Sequence, residues 1–156
     1  MSASNDAFLD QFLAYLLART DDLISAPLTQ EFEHLGLSNP EWRILAVLFD
    51  GVARSVGELT EFVFLPQPTV SRWVARLDAK SLVGRTEPEG DRRRSVVHLT
   101  ADGRRVASRA IDAAKSRNDE VLAMFTHSQA TDFQRLLRTL MDALVASTVA
   151  NAPTIG

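Results

Sequence analysis

The sequence predicts a mainly α-helical fold carrying one small β-hairpin, and three observations lead there. Apolar residues recur at helical spacing along most of the chain, as in Val70, Trp73, Val74 and Leu77 at i, i+3, i+4 and i+7. Helix-start signals precede such runs: Ser38 with Glu41, and Ser55 with Glu58, each have the spacing of a capping box. Two short β-prone runs, residues 82–86 and 95–99, bracket a Pro/Gly-punctuated turn.

The stretch 66–80 organises the rest. Its apolar side looks inward, while Thr69, Arg72 and Arg76 share a different side. Pro68 is tolerated only in a first helical turn, which places the N-cap near Gln67. Two long cations and small hydroxyls at a helix start suit base edges and phosphates in a major groove. Gln67, Pro68, Thr69, Ser71, Arg72 and Arg76 are therefore candidate contacts to double-stranded DNA. A charged outer face alone is more often merely solvated. The hairpin that follows changes the balance. Arg92, Arg93 and Arg94 at its tip repel one another unless an anion sits beside them, and Asp91 neutralises only one. A helix followed by such a hairpin is the order of a winged helix-turn-helix, the bland alternative being a solvated hairpin.

Asp91, Arg93, Leu99 and Thr100 fit the pattern Asp, any residue, Arg, five residues, Leu-Thr. With Thr69-Val70-Ser71-Arg72, Leu82-Val83 and the run from Leu99 to Gly103, the chain resembles the MarR (multiple antibiotic resistance regulator) family over nearly its whole length. The resemblance implies a DNA-binding regulator whose wing arginine, at Arg93, enters the minor groove, while Asp91 holds the wing's shape by pairing with arginine. It implies also a cleft that takes up small aromatic or anionic effectors. Arg43 lies among apolar neighbours and is the candidate partner of such an anion, with Trp42 and Phe62 as walls. One departure stands out: Phe64-Leu65-Pro66 replaces the family's Gly-Leu-Ser in the turn, which must then close without a glycine.

With 156 residues, 46% of them apolar, the chain suffices for one domain with a core. Zero cysteines exclude thiol redox sensing and Cys-ligated zinc. No run of about 18 apolar residues exists, so no membrane span is expected. The first residues lack a signal-type apolar core, so a cytoplasmic location is expected. The net charge of −3 argues against nucleic acid only until it is divided. Residues 54–109 hold 11 Lys/Arg against 7 Asp/Glu, a net +4, and the remainder is −7. A basic middle between acidic ends is expected where only the middle faces phosphate.

In chain order, a first helix is expected over about 6–25, with a broad apolar face and an end at Pro27. A shorter helix carries Leu28, Phe32 and Leu35 to a stop at Gly36. The Ser38 helix buries Trp42, Leu45 and Leu48; the Ser55 helix buries Leu59, Phe62 and Val63 and braces the recognition helix. Thr100 caps a long helix whose Arg104, Arg105 and Arg109 are either flanking phosphate contacts or a solvated face. A break at 126–129 precedes a last helix with Phe133, Leu136, Leu140 and Leu144 at 3–4 spacing. Both ends thus carry surplus apolar face, which a homodimer answers. Residues 38–100 read as the winged helix-turn-helix lobe, and 5–36 and 101–150 as dimerisation helices. An enzyme has little to stand on: His34, His98 and His127 are scattered, no cysteine exists, and no Gly-rich phosphate loop or metal spacing occurs; no cofactor is expected. The other reading is a winged helix used only for protein docking, which leaves the three wing arginines without a purpose.

Overall fold

The computed structural model describes residues 9–87 and 95–150, with side chains to residue 147. Among the described residues the elements follow in the order α1 (Leu13–His34), α2 (Asn39–Leu48), β1 (Arg54–Ser55), α3 (Val56–Val63), α4 (Gln67–Ala79), β2 (Val83–Thr86), β3 (Val96–Leu99), α5 (Ala101–Leu122) and α6 (His127–Ala150). The chain divides after Arg117 into two compact units.

The expected hairpin is present, its strands antiparallel from Val83 opposite Leu99 to Thr86 opposite Val96. A third strand was not foreseen. Arg54 and Ser55 pair with Val97 and Val96, giving the order β1-β3-β2. Two residues carry too little pattern to read as a strand.

The core lies in the first unit. Ile44, Leu45 and Leu48 of α2 meet Leu59 and Val63 of α3, and Val70, Val74 and Leu77 of α4 close over them. Val83 and Val97 join the sheet to this cluster, and Ala107 and Ala110 bring in α5. Gly103 explains the Leu-Thr-Ala-Asp-Gly run. A Cβ at this position would lie 1.8 Å from the Leu82 carbonyl oxygen, so only glycine lets α5 pass the end of α4. Thr100 ties the same corner: its hydroxyl donates to the Ser81 carbonyl at 2.8 Å and accepts from the Gly103 amide at 2.9 Å.

The first helix corrects the sequence reading. Pro27 does not end it; α1 runs unbroken from Leu13 to His34 and stops at Gly36, whose φ of 69° closes a Schellman turn. Phe12 is extended and α1 starts at Leu13, while the expected start near residue 6 lies outside the described residues. Proline removes the amide that would bond the Leu23 carbonyl, and its ring crowds that same turn. Arg117 of α5 supplies the missing donors: Nη2 to the Leu23 carbonyl at 3.1 Å and Nε to the Ile24 carbonyl at 3.3 Å. A contact 94 residues away in sequence thus makes the proline tolerable.

In the second unit, Thr126 and Gln129 form a capping box at the head of α6, with the Thr126 amide donating to Gln129 at 3.0 Å. The segment read as a break is therefore a helix start. None of the described side chains of α6 is buried, and Leu136, Met141 and Leu144 are among its exposed apolar residues.

The Arg117 contact predicts a coupled pair. Arg117→Ala should cost about 1–3 kcal/mol in denaturant unfolding, and clearly less in a Pro27→Ala background, where the helix regains its own donor. Equal costs in both backgrounds would refute the assigned role.

Candidate nucleic-acid interface

Helix α4 starts one residue earlier than the sequence suggested. Pro66 is the N-cap, and its carbonyl accepts from the Thr69 and Val70 amides at 2.9 and 3.1 Å. Gln67 and Pro68 open the helix, both exposed; Thr69 and Ser71 are half-buried, and Arg72 and Arg76 are exposed. Thr69, Arg72 and Arg76 line one face, as expected, while Ser71 falls across the exposed arc from them. Trp73, assigned by its spacing to the inward side, is only half-buried. Its ring carries the Arg76 guanidinium at 4.7 Å and that of Arg72 at 5.9 Å. Asp91, Arg92, Arg93 and Arg94 lie outside the described residues.

The turn before α4 corrects a second expectation. Phe64 adopts φ 54° and ψ 41°, the left-handed conformation usually left to glycine, and 71% of it is exposed. The turn therefore closes as a glycine would close it, with an aromatic residue bearing the strain.

A buried carboxylate lies beneath the other end of the helix. Glu41, fully buried, accepts at Oε2 from the Ser38 amide at 2.7 Å and the Ser38 hydroxyl at 2.8 Å. At Oε1 it accepts from the Lys80 ammonium at 2.6 Å, with Arg76 Nε at 3.6 Å. Lys80 donates also to the Gly36 carbonyl at 2.8 Å. Burial opposes ionisation of Glu41, but the Lys80 and Ser38 donors overcome it and hold the carboxyl below its ordinary range. Sequence reasoning saw Glu41 only as half of a capping box and Lys80 only as a cation at a helix end. The available signal was Arg76 and Lys80 at i and i+4, two cations on one side needing a common partner.

The three candidate effector residues are held by different neighbours. Trp42 stacks on Phe32 at 4.9 Å and donates to Asn39 at 2.8 Å. Arg43 is exposed and lines a hollow of about 110 Å³ with Asn39, Pro40 and Leu65. Phe62, expected on the buried side of α3, is 52% exposed, with the Arg54 guanidinium 5.0 Å over its ring. Leu59 and Val63 fill the inward positions and leave Phe62 at the rim. Arg54 belongs to the architecture. It donates to the Val47 carbonyl at 2.9 Å and pairs with Asp50, whose carboxyl falls to about 2, chiefly through hydrogen bonding with Arg54. Arg104 is structural too: it donates to the Phe49 carbonyl at 3.1 Å and lies over that ring, serving the C-terminal end of α2. Arg105 pairs with Asp102 within α5.

A helix-turn-helix formed by α3 and α4, followed directly by the β2–β3 hairpin, defines a winged-helix DNA-binding lobe. Comparison with known proteins agrees. A model of the MarR family matches residues 35–94. The crystal structure of the MarR family transcriptional regulator SPO1453 from Silicibacter pomeroyi superposes with a TM-score of 0.76 at 33% identity, covering 87% of this chain and 97% of that one. The transcriptional regulator HosA of Escherichia coli O111:H- is 27% identical over 107 residues, 69% of this chain and 79% of HosA. The HTH-type transcriptional repressor Rv2887 of Mycobacterium tuberculosis is 28% identical over 131 residues, 84% of this chain and 94% of Rv2887. The chain belongs to the MarR family of transcription regulators.

Two predictions follow from the geometry around α4. Phe64→Gly should be more stable than Phe64→Ala by about 1 kcal/mol in thermal unfolding, because only glycine relieves the left-handed strain; equal stabilities would mean the turn is closed differently. Glu41→Gln should destabilise by about 2 kcal/mol at neutral pH, leaving Lys80 short of its partner while its partial exposure limits the cost. The folded Glu41 carboxyl titrates below its ordinary 4.5, so its contribution is complete above that value and is lost as the pH falls through the folded value. Unfolding curves of the two proteins should therefore converge on acidification, and a constant gap down to acid unfolding would contradict the ion pair.

Proposed function

We propose that the protein is a homodimeric repressor that binds a palindromic operator and is released from it by a small aromatic or anionic effector. The observation that carries this reading is the outward face of α4, where Thr69, Arg72 and Arg76 share one side ahead of a hairpin that leads in sequence to Arg92, Arg93 and Arg94. Residues 38–100 act as the DNA-binding lobe, and 5–36 and 101–150 as the dimerisation helices. In support, α6 buries none of its described side chains, and Leu13, Leu16 and Leu23 leave α1 with exposed apolar surface. A two-fold dimer sets its recognition helices into successive major grooves about one DNA turn apart. There Gln67, Pro68, Thr69, Ser71, Arg72 and Arg76 contact bases and phosphates. The wing arginines reach the flanking minor grooves, where A·T-rich narrowing attracts them, and Asp91 holds the wing in shape. Repression is favoured by the name of Rv2887, a repressor.

An effector that fits one arrangement of the dimer better than another shifts the half-site separation and so the DNA affinity. Arg43 at its hollow supplies the charge for an anionic effector. The rings of Trp42 and Phe62, the proposed walls, are engaged by Phe32 and Arg54 and support it less directly.

Fluorescence anisotropy over a salt series tests the reading, with a duplex from upstream of the protein's own gene beside a scrambled one. Saturable binding at one dimer per site and a strong preference for the upstream duplex are expected. Arg93→Ala should lower the log–log salt slope by about one unit. Equal weak binding to both duplexes would favour protein docking instead, and an unchanged slope would remove Arg93 from the interface.

A further inference from the structure

We propose that Glu41 is a positioning residue for sequence discrimination: together with Trp73 it fixes the Arg76 guanidinium so that its terminal NH2 groups read one guanine in each half-site. The inference rests on the reading of the protein as a DNA-binding regulator and deepens it.

Arg76 is restrained from two directions. Its Nε lies 3.6 Å from Glu41 Oε1, and its guanidinium carbon lies 4.7 Å from the centre of the Trp73 ring. The anchor itself has no room to swing. Both Glu41 oxygens are occupied within a fully buried site, by Ser38 at 2.7 and 2.8 Å and by Lys80 at 2.6 Å. Yet the Arg76 side chain remains 56% exposed, and among the described residues neither terminal NH2 group donates a hydrogen bond. The edge that matches the O6 and N7 acceptors of guanine is therefore left open while the other edge is held. Two cations share one carboxylate, so the group is oriented without losing the net positive charge that DNA attracts.

Arg72 is the contrast. It lies 5.9 Å from the same ring and has no carboxylate partner among the described residues. A phosphate contact tolerates a mobile cation, whereas bidentate base readout demands a fixed plane and direction. Arg72 has the looser arrangement and Arg76 the tighter one.

The test is selection from a random duplex pool with the wild-type protein, Glu41→Gln and Arg76→Lys, followed by affinity measurements on single-base variants of the selected site. The expected wild-type site holds a guanine at one position per half-site. Both substitutions should reduce discrimination at that position by about tenfold or more while preferences elsewhere and binding to scrambled DNA change little. Trp73→Leu should relax the same position. A generally weakened fold would lower affinity for every duplex without singling out one base. Should Glu41→Gln fail to fold, Glu41→Asp decides, because it keeps a buried charge but draws it back from both cations, and the 3.6 Å approach of Arg76 is lost before the 2.6 Å contact of Lys80. A wild-type site lacking such a guanine, or a guanine preference that survives at Glu41→Gln or Glu41→Asp, overturns the inference alone. If the wild-type protein selects no sequence, the regulator reading itself falls.

Discussion

A recognition helix works only if it meets DNA in one orientation, and here that orientation depends on a carboxylate out of reach of water. Glu41 belongs to α2, but both cations it holds, Lys80 and Arg76, belong to α4. A charge buried without partners is so costly that α4 cannot rotate or slide away from α2 without either abandoning it or admitting water. The apolar contacts of Val70, Val74 and Leu77 supply most of the attraction between α4 and the core, but such contacts are not directional. The ion pair adds direction.

A comparable division of labour holds at α1. Pro27 is a local liability that periodicity and propensity count against a continuous helix. The helix continues because α5 returns to it, with Arg117 serving two carbonyls in the turn where the proline withholds its donor. Gly103, near the start of the same helix, is fixed in a similar way, since the passage of α5 past Leu82 leaves no space for a Cβ. In both places a residue that looks like a break or a spacer in isolation is set by a neighbour distant in sequence.

That distinction separates what was legible in the sequence from what was not. The fold class, the hairpin, both serine capping boxes and the face shared by Thr69, Arg72 and Arg76 rest on short-range spacing, and the structure has them. The continuation of α1 through Pro27, the β1 pairing, the burial of Glu41 and the engagement of Arg104 by Phe49 depend on tertiary contacts that no local pattern encodes. Phe62 failed for a subtler reason. On an eight-residue helix, Leu59 and Val63 are enough to fill the inward stripe, and the third apolar residue is carried to the rim. Phe64 shows the limit of residue preference as a guide: lack of glycine argued against a positive φ, and the surrounding helices imposed one anyway.

Both ends of α4 are in fact bounded by non-glycine residues in the left-handed region, Phe64 at φ 54° and Ser81 at φ 57°. Each costs about 1–2 kcal/mol relative to an unstrained turn. Ser81 is compensated in place, since the turn it forms is a Schellman closure in which Leu82 donates to the Leu77 carbonyl at 3.0 Å and Ser81 to Asp78 at 2.8 Å. Phe64 has a single backbone bond, to the Thr60 carbonyl at 3.0 Å, and an exposed side chain. Its strain must be met by the packing of α3 and α4 on either side, which means the turn is held by the core rather than the reverse. A helix fixed by a buried ion pair at one end and by imposed strain at the other has little freedom left to adjust locally. Changes in how it meets DNA are then expected as movements of the whole lobe rather than as local adjustments of α4.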